Sequence, residues 1–252
     1  LLDPDLALLV LSTAIVIGSG YIINSFYDAE KDLINRPRKT LLDRHISQRA
    51  KITAYFTGNF IAVFMASAVS FRAVVFFSAY IFGIWLYSHK LKRITFVGNL
   101  VSASLAITPF FTVFVYYKNL APVIFVHAVF LFLLILAKEM VKDLENLTGD
   151  LTQNYKTVAV RYGTRFSKYC ISLLLIATAL PTYALIRYFN VGAMDVYFKG
   201  AFILVILAVI ALWWAHQKQH YLGIHNLLKF IIVAGVFGIL LIDPDLLLRR
   251  FI

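Results

Sequence analysis

Acidic residues are scarce in this chain: 13 Asp and Glu stand against 24 Lys and Arg among 252 residues. Charge of either sign is sparse, at 15%. The gaps between charges are apolar runs near the roughly 20 residues that a helix needs to cross a bilayer. An ordinary soluble domain is about half apolar; this chain is 61% hydrophobic with a mean hydropathy of +0.80. The one cysteine, Cys170, excludes an intrachain disulfide. It lies in an apolar span, where a thiol packs as a small hydrophobe. No signal peptide is visible, because no basic region precedes the first apolar run. No linker, low-complexity tract or heptad run interrupts the chain, so a single domain over 1–252 is expected. No period-two alternation in segments of about ten residues is present, which argues against a membrane β-barrel. Ala201 to Trp213, for example, is continuously apolar. The net charge of +11 has no soluble domain to display it, so nucleic acid is not an expected partner.

What remains is an all-α, polytopic membrane bundle. In lipid every backbone group must find an internal partner, which favours helices. Eight spans are predicted near 6–28, 51–70, 71–88, 96–117, 120–143, 166–188, 196–217 and 223–243. They divide the connecting loops into two sides. Only Arg72, Lys118, Arg187, Lys199, Arg249 and Arg250 fall on one side; the other Lys and Arg fall on the opposite side. The positive-inside rule makes the richer side cytoplasmic and turns both termini outward. The chain begins with Leu and its first span starts within six residues, so a preceding segment is expected.

The few acidic residues cluster where apolar segments meet basic loops. Asn24-x-x-x-Asp28-x-x-x-Asp32 ends the first span, and Glu139-x-x-x-Asp143-x-x-Asn146-x-x-x-Asp150 ends the fifth. Four spans separate the clusters, so both reach the same membrane face. At 100° per residue, the first set falls within about an 80° arc and the second within about 60°, provided each helix continues through it. Gly149 is expected to loosen the last turn. Ionisable groups at such positions are costly to desolvate and mark function by default. Carboxylate and amide oxygens suit Mg²⁺, which binds through one or two carboxylates, waters and substrate phosphates. Arg and Lys nearby suit phosphate.

A diphosphate held beside an apolar cavity points to a prenyl diphosphate. Metal and cations stabilise the departing diphosphate. The allylic cation left behind needs a dry, aromatic-lined pocket, and 22 Phe and 14 Tyr are available. A second class of function is an ion-coupled transporter, but its ionisable residues would be expected near the bilayer midplane. A weakened homologue that only binds isoprenoid lipid is a third. Blander readings apply elsewhere: His127 as a packed residue, His216, His220 and His225 as members of a wet basic loop, Trp213 and Trp214 as interface anchors.

These residues resemble the UbiA-type intramembrane prenyltransferases. The resemblance rests on Asn24-Ser-Phe-Tyr-Asp28-Ala-Glu-Lys-Asp32 with Asn35-Arg36-Pro37, and on Lys138-Glu-Met-Val-Lys-Asp143-Leu-Glu-Asn146-Leu-Thr-Gly-Asp150 with Lys156-Thr157. Tyr87-Ser-His-Lys-Leu-Lys92 with Gly98-Asn99 forms a third match. The resemblance implies a helical bundle around a central cavity and Mg²⁺-dependent transfer of a prenyl group from its diphosphate. It implies that Asn24, Asp28 and Asp32 hold one Mg²⁺, and that Asp143 and Asp150, with Glu139 and Asn146, hold another. Asp28, Asp32, Asp143 and Asp150 would be the catalytic carboxylates. Arg36, Lys92 and Lys156 would contact diphosphate, and Tyr87 resembles the tyrosine that precedes the loop lysine, one residue further off than usual. Asn146 stands where the family often has Asp, which removes one negative charge. The family commonly has nine spans, and the missing one is expected to be the first. Within the family the segments look most like digeranylgeranylglyceryl phosphate synthases, which join a geranylgeranyl group from geranylgeranyl diphosphate to a prenylated, lipid-soluble glycerol phosphate. Aromatic-acid prenyltransferases of quinone biosynthesis are the competing branch. The expected location is a prokaryotic plasma membrane, with the active site facing the cytoplasm.

Overall fold

A computed structural model describes residues 3–37, 40, 45–118, 120–189 and 191–238, and no strand occurs among them. The chain forms two compact units. The first contains α1 (Pro4–Tyr27), α2 (Ala29–Asn35), α3 (Gln48–Val69), α4 (Phe71–His89), a 3₁₀ turn (Leu91–Arg93) and α5 (Val97–Tyr116), together with residues 148–157. The second contains α6 (Pro122–Glu145), α8 (Val158–Ala177), α9 (Ala179–Tyr188), α10 (Met194–Trp214) and α11 (Lys218–Gly238). The short α7 (Leu147–Thr152) begins at the end of the second unit and continues in the first.

Seven helical segments among the described residues are long and apolar enough to cross a membrane; Val97–Val113, in the fourth expected span, is shorter. The sixth expected span begins earlier than predicted, because Val158–Tyr188 runs on for 31 residues. It is not straight. Gly163 has φ +83, which a side chain would strain, and the helix breaks at Thr178. Pro181 explains the second break: it has no N–H to donate back to Ala177. The end of the last expected span, 239–243, lies outside the described residues, as do Arg38, Lys39, Arg44, Arg249 and Arg250.

Helix starts in the first unit follow local chemistry. Asp3 caps α1 by accepting from the Asp5 and Leu6 amides at 3.1 and 3.4 Å, with Pro4 in the first turn. Ser47 caps α3 and Ser70 caps α4 in the same way, at 3.1 and 3.2 Å. Small residues let α1 and α3 approach closely: a Cβ on Gly58 would stand 2.5 Å from Ser19 Oγ. Ser12 Oγ donates to the Ala62 carbonyl at 3.1 Å in the same seam. Leu9, Val16, Ala62, Ala66, Phe77 and Tyr80 fill the core of this unit. In the second unit α6 packs on α8, α9 and α11, burying Leu134, Ile171, Leu175, Leu185 and Leu228. His127 sits there as a packed residue, its ring edge-on to Phe198 with centroids 5.0 Å apart.

Candidate active site

The two acidic clusters occupy matching local structures. α1 and α6 are both 24 residues long with proline in the first turn, and each stops one residue before a polar side chain. Asp28 ends α1 with φ −94 and ψ 3, and Asn146 ends α6 with φ −101 and ψ 11. In both, the i→i−4 bond survives: the Asp28 amide donates to the Asn24 carbonyl at 2.9 Å, and the Asn146 amide to the Lys142 carbonyl at 3.0 Å. A short helix follows each, carrying Asp32 and Asp150 four residues on. The bend re-aims the backbone at the polar residue without orphaning a donor.

In the first unit Asp28 is the hub. Its Oδ1 accepts from Lys92 Nζ at 2.7 Å and from the Tyr155 hydroxyl at 3.0 Å, and Lys31 Nζ stands 3.9 Å away. Its Oδ2 accepts from Asn24 Nδ2 at 2.9 Å, while Asn24 Oδ1 accepts from Lys92 at 3.2 Å. Lys31 also pairs with the buried Asp150 at 3.1 Å. The chain therefore brings Asn24, Asp28, Lys92 and Asp150 into one network. It also recruits Lys31 and Tyr155, which the sequence motifs left unassigned. Lys31 lies 4.4 Å above the Tyr155 ring and Arg93 lies 5.1 Å from its centroid.

The electrostatics follow from burial and pairing. Burial alone would raise the Asp28 carboxyl, but the Lys31 and Lys92 ammoniums, with hydrogen bonds from Lys92 and Tyr155, hold it below its ordinary 3.8. Burial pulls the Lys92 ammonium down to about 8, against the stabilising charge of Asp28 and with added repulsion from Lys31 and Arg93. Burial and the Asp28 charge push the Tyr155 phenol well above its ordinary range, so it remains a donor.

Glycines hold this network together. A Cβ on Gly98 would stand 2.9 Å from the Lys92 carbonyl oxygen, so the turn that presents Lys92 closes only over a glycine. Asn35 Oδ1 accepts from the Gly149 amide, and a Cβ at Gly149 would collide with the Asn35 side chain. The turn expected to loosen at Gly149 is thus pinned by it. Tyr155 points inward while Lys156 is exposed; the Lys156 main chain joins the 3₁₀ turn, its amide donating to the Arg93 carbonyl at 3.0 Å.

The remaining expected residues are placed as follows. Asp32 is half-buried and lines a cleft with Asn24 and Lys51. Arg36 caps α2, and Tyr87 is half-buried near the end of α4. In the second unit Glu139 is buried between Lys138 at 2.8 Å and Lys142 at 3.2 Å. Asp143 is half-buried and Asn146 buried. Glu145, which the motifs did not single out, is buried and pairs with His225 at 2.8 Å. His225 is therefore not simply part of a wet loop.

The donor set fits Mg²⁺ rather than a softer metal. Asn24, Asp28, Asp32 and Asp150 offer oxygen only, with no thiolate or imidazole. Among the described residues no three His, Cys, Asp or Glu side chains converge as a ready-made metal cage. Mg²⁺ usually keeps several waters and is bound through one or two carboxylates plus substrate phosphates.

Comparison with known proteins bears on this geometry. The model of the UbiA prenyltransferase family matches residues 2–242. A digeranylgeranylglyceryl phosphate synthase of Thermococcus sibiricus is 31% identical over 231 residues, spanning 88% of this chain and 79% of its own length. A solved structure concerning digeranylgeranylglyceryl phosphate synthase in membranes superposes with a TM-score of 0.70 at 21% identity, covering 93% of this chain and 85% of that one. A UbiA homologue from Archaeoglobus fulgidus, bound to GPP and Mg²⁺, superposes with a TM-score of 0.70 at 14% identity, covering 94% and 88%. At these identities the structural likeness establishes the fold.

Proposed function

The chain belongs to the UbiA prenyltransferase family, and from that membership we propose that it moves a geranylgeranyl group from its diphosphate to geranylgeranylglyceryl phosphate. It is an integral membrane prenyltransferase. The observation that carries the reading is the buried network of Lys92, Lys31, Tyr155 and Asn24 around Asp28, with Asp150 tied in through Lys31. Buried ammoniums beside carboxylates are arranged to trade partners: an arriving diphosphate takes the lysines, and the freed carboxylate oxygens become ligands. The identity to the Thermococcus synthase supports the choice of acceptor.

Asn24, Asp28 and Asp32 would hold one Mg²⁺, and Asp143, Asp150, Glu139 and Asn146 a second. Bound there, Mg²⁺ supplies charge neutralisation of the diphosphate. The protein's own part is to position and to shield. Lys92, with Arg36 and Lys156, neutralises phosphate oxygens; the C1–O bond breaks and the diphosphate leaves with the electron pair. The ring faces of Tyr27, 5.9 Å from Lys92, and of Tyr155 supply electron-rich surface. An acceptor hydroxyl then forms the new C–O bond, and its proton passes to the released diphosphate. The match over 2–242 runs through both compact units, which supports one functional domain. The excess of Lys and Arg on one side supports a cytoplasmic site in a prokaryotic plasma membrane.

The test is to incubate purified protein with geranylgeranyl diphosphate, Mg²⁺ and an acceptor panel, and to read products by mass spectrometry. The expected product is the doubly geranylgeranylated glycerol phosphate. Product with 4-hydroxybenzoate, homogentisate or a naphthoate instead would move the chain to the quinone branch. Radiolabelled cation flux with no product from any acceptor would overturn the reading.

A further inference from the structure

Lys51 has no role in any motif above, yet it is only 8% exposed, in the first unit near the start of α3. A buried ammonium is costly unless something pairs with it. Among the described residues its Nζ has no hydrogen bond and no carboxylate within 4.0 Å. It lines two adjoining clefts that share Ser25, Asp32 and Lys51. One, of about 190 Å³, adds Ala29, Glu30, Leu33, Thr40 and Gln48. The other, of about 340 Å³, adds Asn24 and is walled by Tyr21, Ile22, Ile46 and Ala54. Tyr21 and Ile46 are exposed on a surface that belongs to membrane-spanning and flanking segments, so the apolar wall continues toward lipid.

We propose that the Lys51 ammonium binds the phosphate head of a prenylated substrate whose hydrocarbon chain leaves along the Tyr21–Ile22–Ala54 wall. Three features support this. The Lys51 side chain is largely buried, lines both clefts and has no ion pair among the described residues, so its charge is available to an anion entering there. The α3 amino end, to which Lys51 belongs, adds the positive end of a 22-residue helix dipole. The cleft is amphiphilic, lined by Lys51, Asp32 and Asn24 together with Tyr21, Ile22 and Ala54. Asp32, which lines the same cleft, is of the wrong sign for a bare phosphate but of the right sign for a cation-loaded one. Asn24 lines this cleft and also bonds Asp28 and Lys92, which joins it to the network described above. The inference rests on the proposed function only for the choice of ligands: either the donor diphosphate or the phosphate of the acceptor could supply the same chemistry.

The experiment measures equilibrium binding of geranylgeranyl diphosphate and of geranylgeranylglyceryl phosphate separately, each in Mg²⁺ and without the other substrate, to wild type, Lys51→Met, Lys51→Arg and the exposed control Lys90→Met. Loss of one charge-assisted contact is expected to weaken one ligand about tenfold in Lys51→Met, while Lys51→Arg stays within about threefold. Selective loss for the diphosphate assigns the donor; selective loss for the other assigns the acceptor. Unchanged binding of both, or losses no larger than those of Lys90→Met, overturns the proposal. If Lys51→Met does not fold, lysine labelling of wild type decides: ligand must shield Lys51 more than Lys90, and equal shielding overturns it. Because binding is read without turnover, an absence of product would count against the proposed reaction and leave the Lys51 assignment to be judged on affinity alone.

Discussion

Asn35 Oδ1 accepts a hydrogen bond from the Gly149 amide at 3.1 Å, across 114 residues of chain. It links the Asn35-Arg36-Pro37 turn to the second acidic motif, and a Cβ at position 149 would collide with Asn35 Nδ2, so any side chain there must push Asn35 aside. Gly149→Ala is therefore expected to displace Asn35 and leave a buried polar group unpaired, at about 1–3 kcal/mol. A lower melting temperature in detergent, with turnover reduced in step, is the expected result. A Gly149→Ala enzyme with wild-type melting and wild-type rate would show the contact to be dispensable.

Asp28 and Lys92 depend on each other. Asp28→Ala strands a buried ammonium, a loss of about 3–5 kcal/mol, and removes a proposed metal ligand. Turnover is expected to fall at least about a hundredfold, as it should for Asp32→Ala. The isosteric pair Asp28→Asn with Lys92→Met should recover stability but not activity. A double-mutant cycle on thermal stability checks this, and simple additivity would contradict the coupling.

Tyr155→Phe deletes the hydroxyl bound to Asp28 but keeps the ring under Lys31. The expected cost is about 1 kcal/mol of stability, with a rate loss smaller than that of Tyr155→Ala, which removes both cation–π contacts. Equal rates for the two variants would remove the ring from the account.

Asn146→Asp should be tolerated by the backbone, because Asp28 occupies the same torsions at the matching helix break. The added charge is expected to lower the Mg²⁺ concentration for half-maximal rate, read by a metal titration of turnover. An unchanged titration would place residue 146 outside the metal's reach.

Chelation should stop turnover and Mg²⁺ should restore it, with melting temperature little changed, since the protein's own lysines neutralise Asp28 and Asp150. A large fall in melting temperature with EDTA would mean that the metal also holds the fold together.

The pattern of amino acids alone determined the membrane helices, because the bilayer demands long apolar runs and helices that satisfy their own backbones. It also determined the pairing of Asn24 with Asp28, since residues four apart share a helix face. It could not reveal that both helices bend at the polar residue, or that Asp28 and Asp32 face different neighbours across that bend. Tyr155 reaches Asp28 over 127 residues, and Lys31 reaches Asp150 through space. Only the tertiary structure decided those contacts, because the partners of a buried charge are chosen by packing and not by spacing. The same holds for Lys51, one positive residue among many in the sequence, which the fold sets in a cleft beside Ser25 and Asp32 with no ion pair among the described residues.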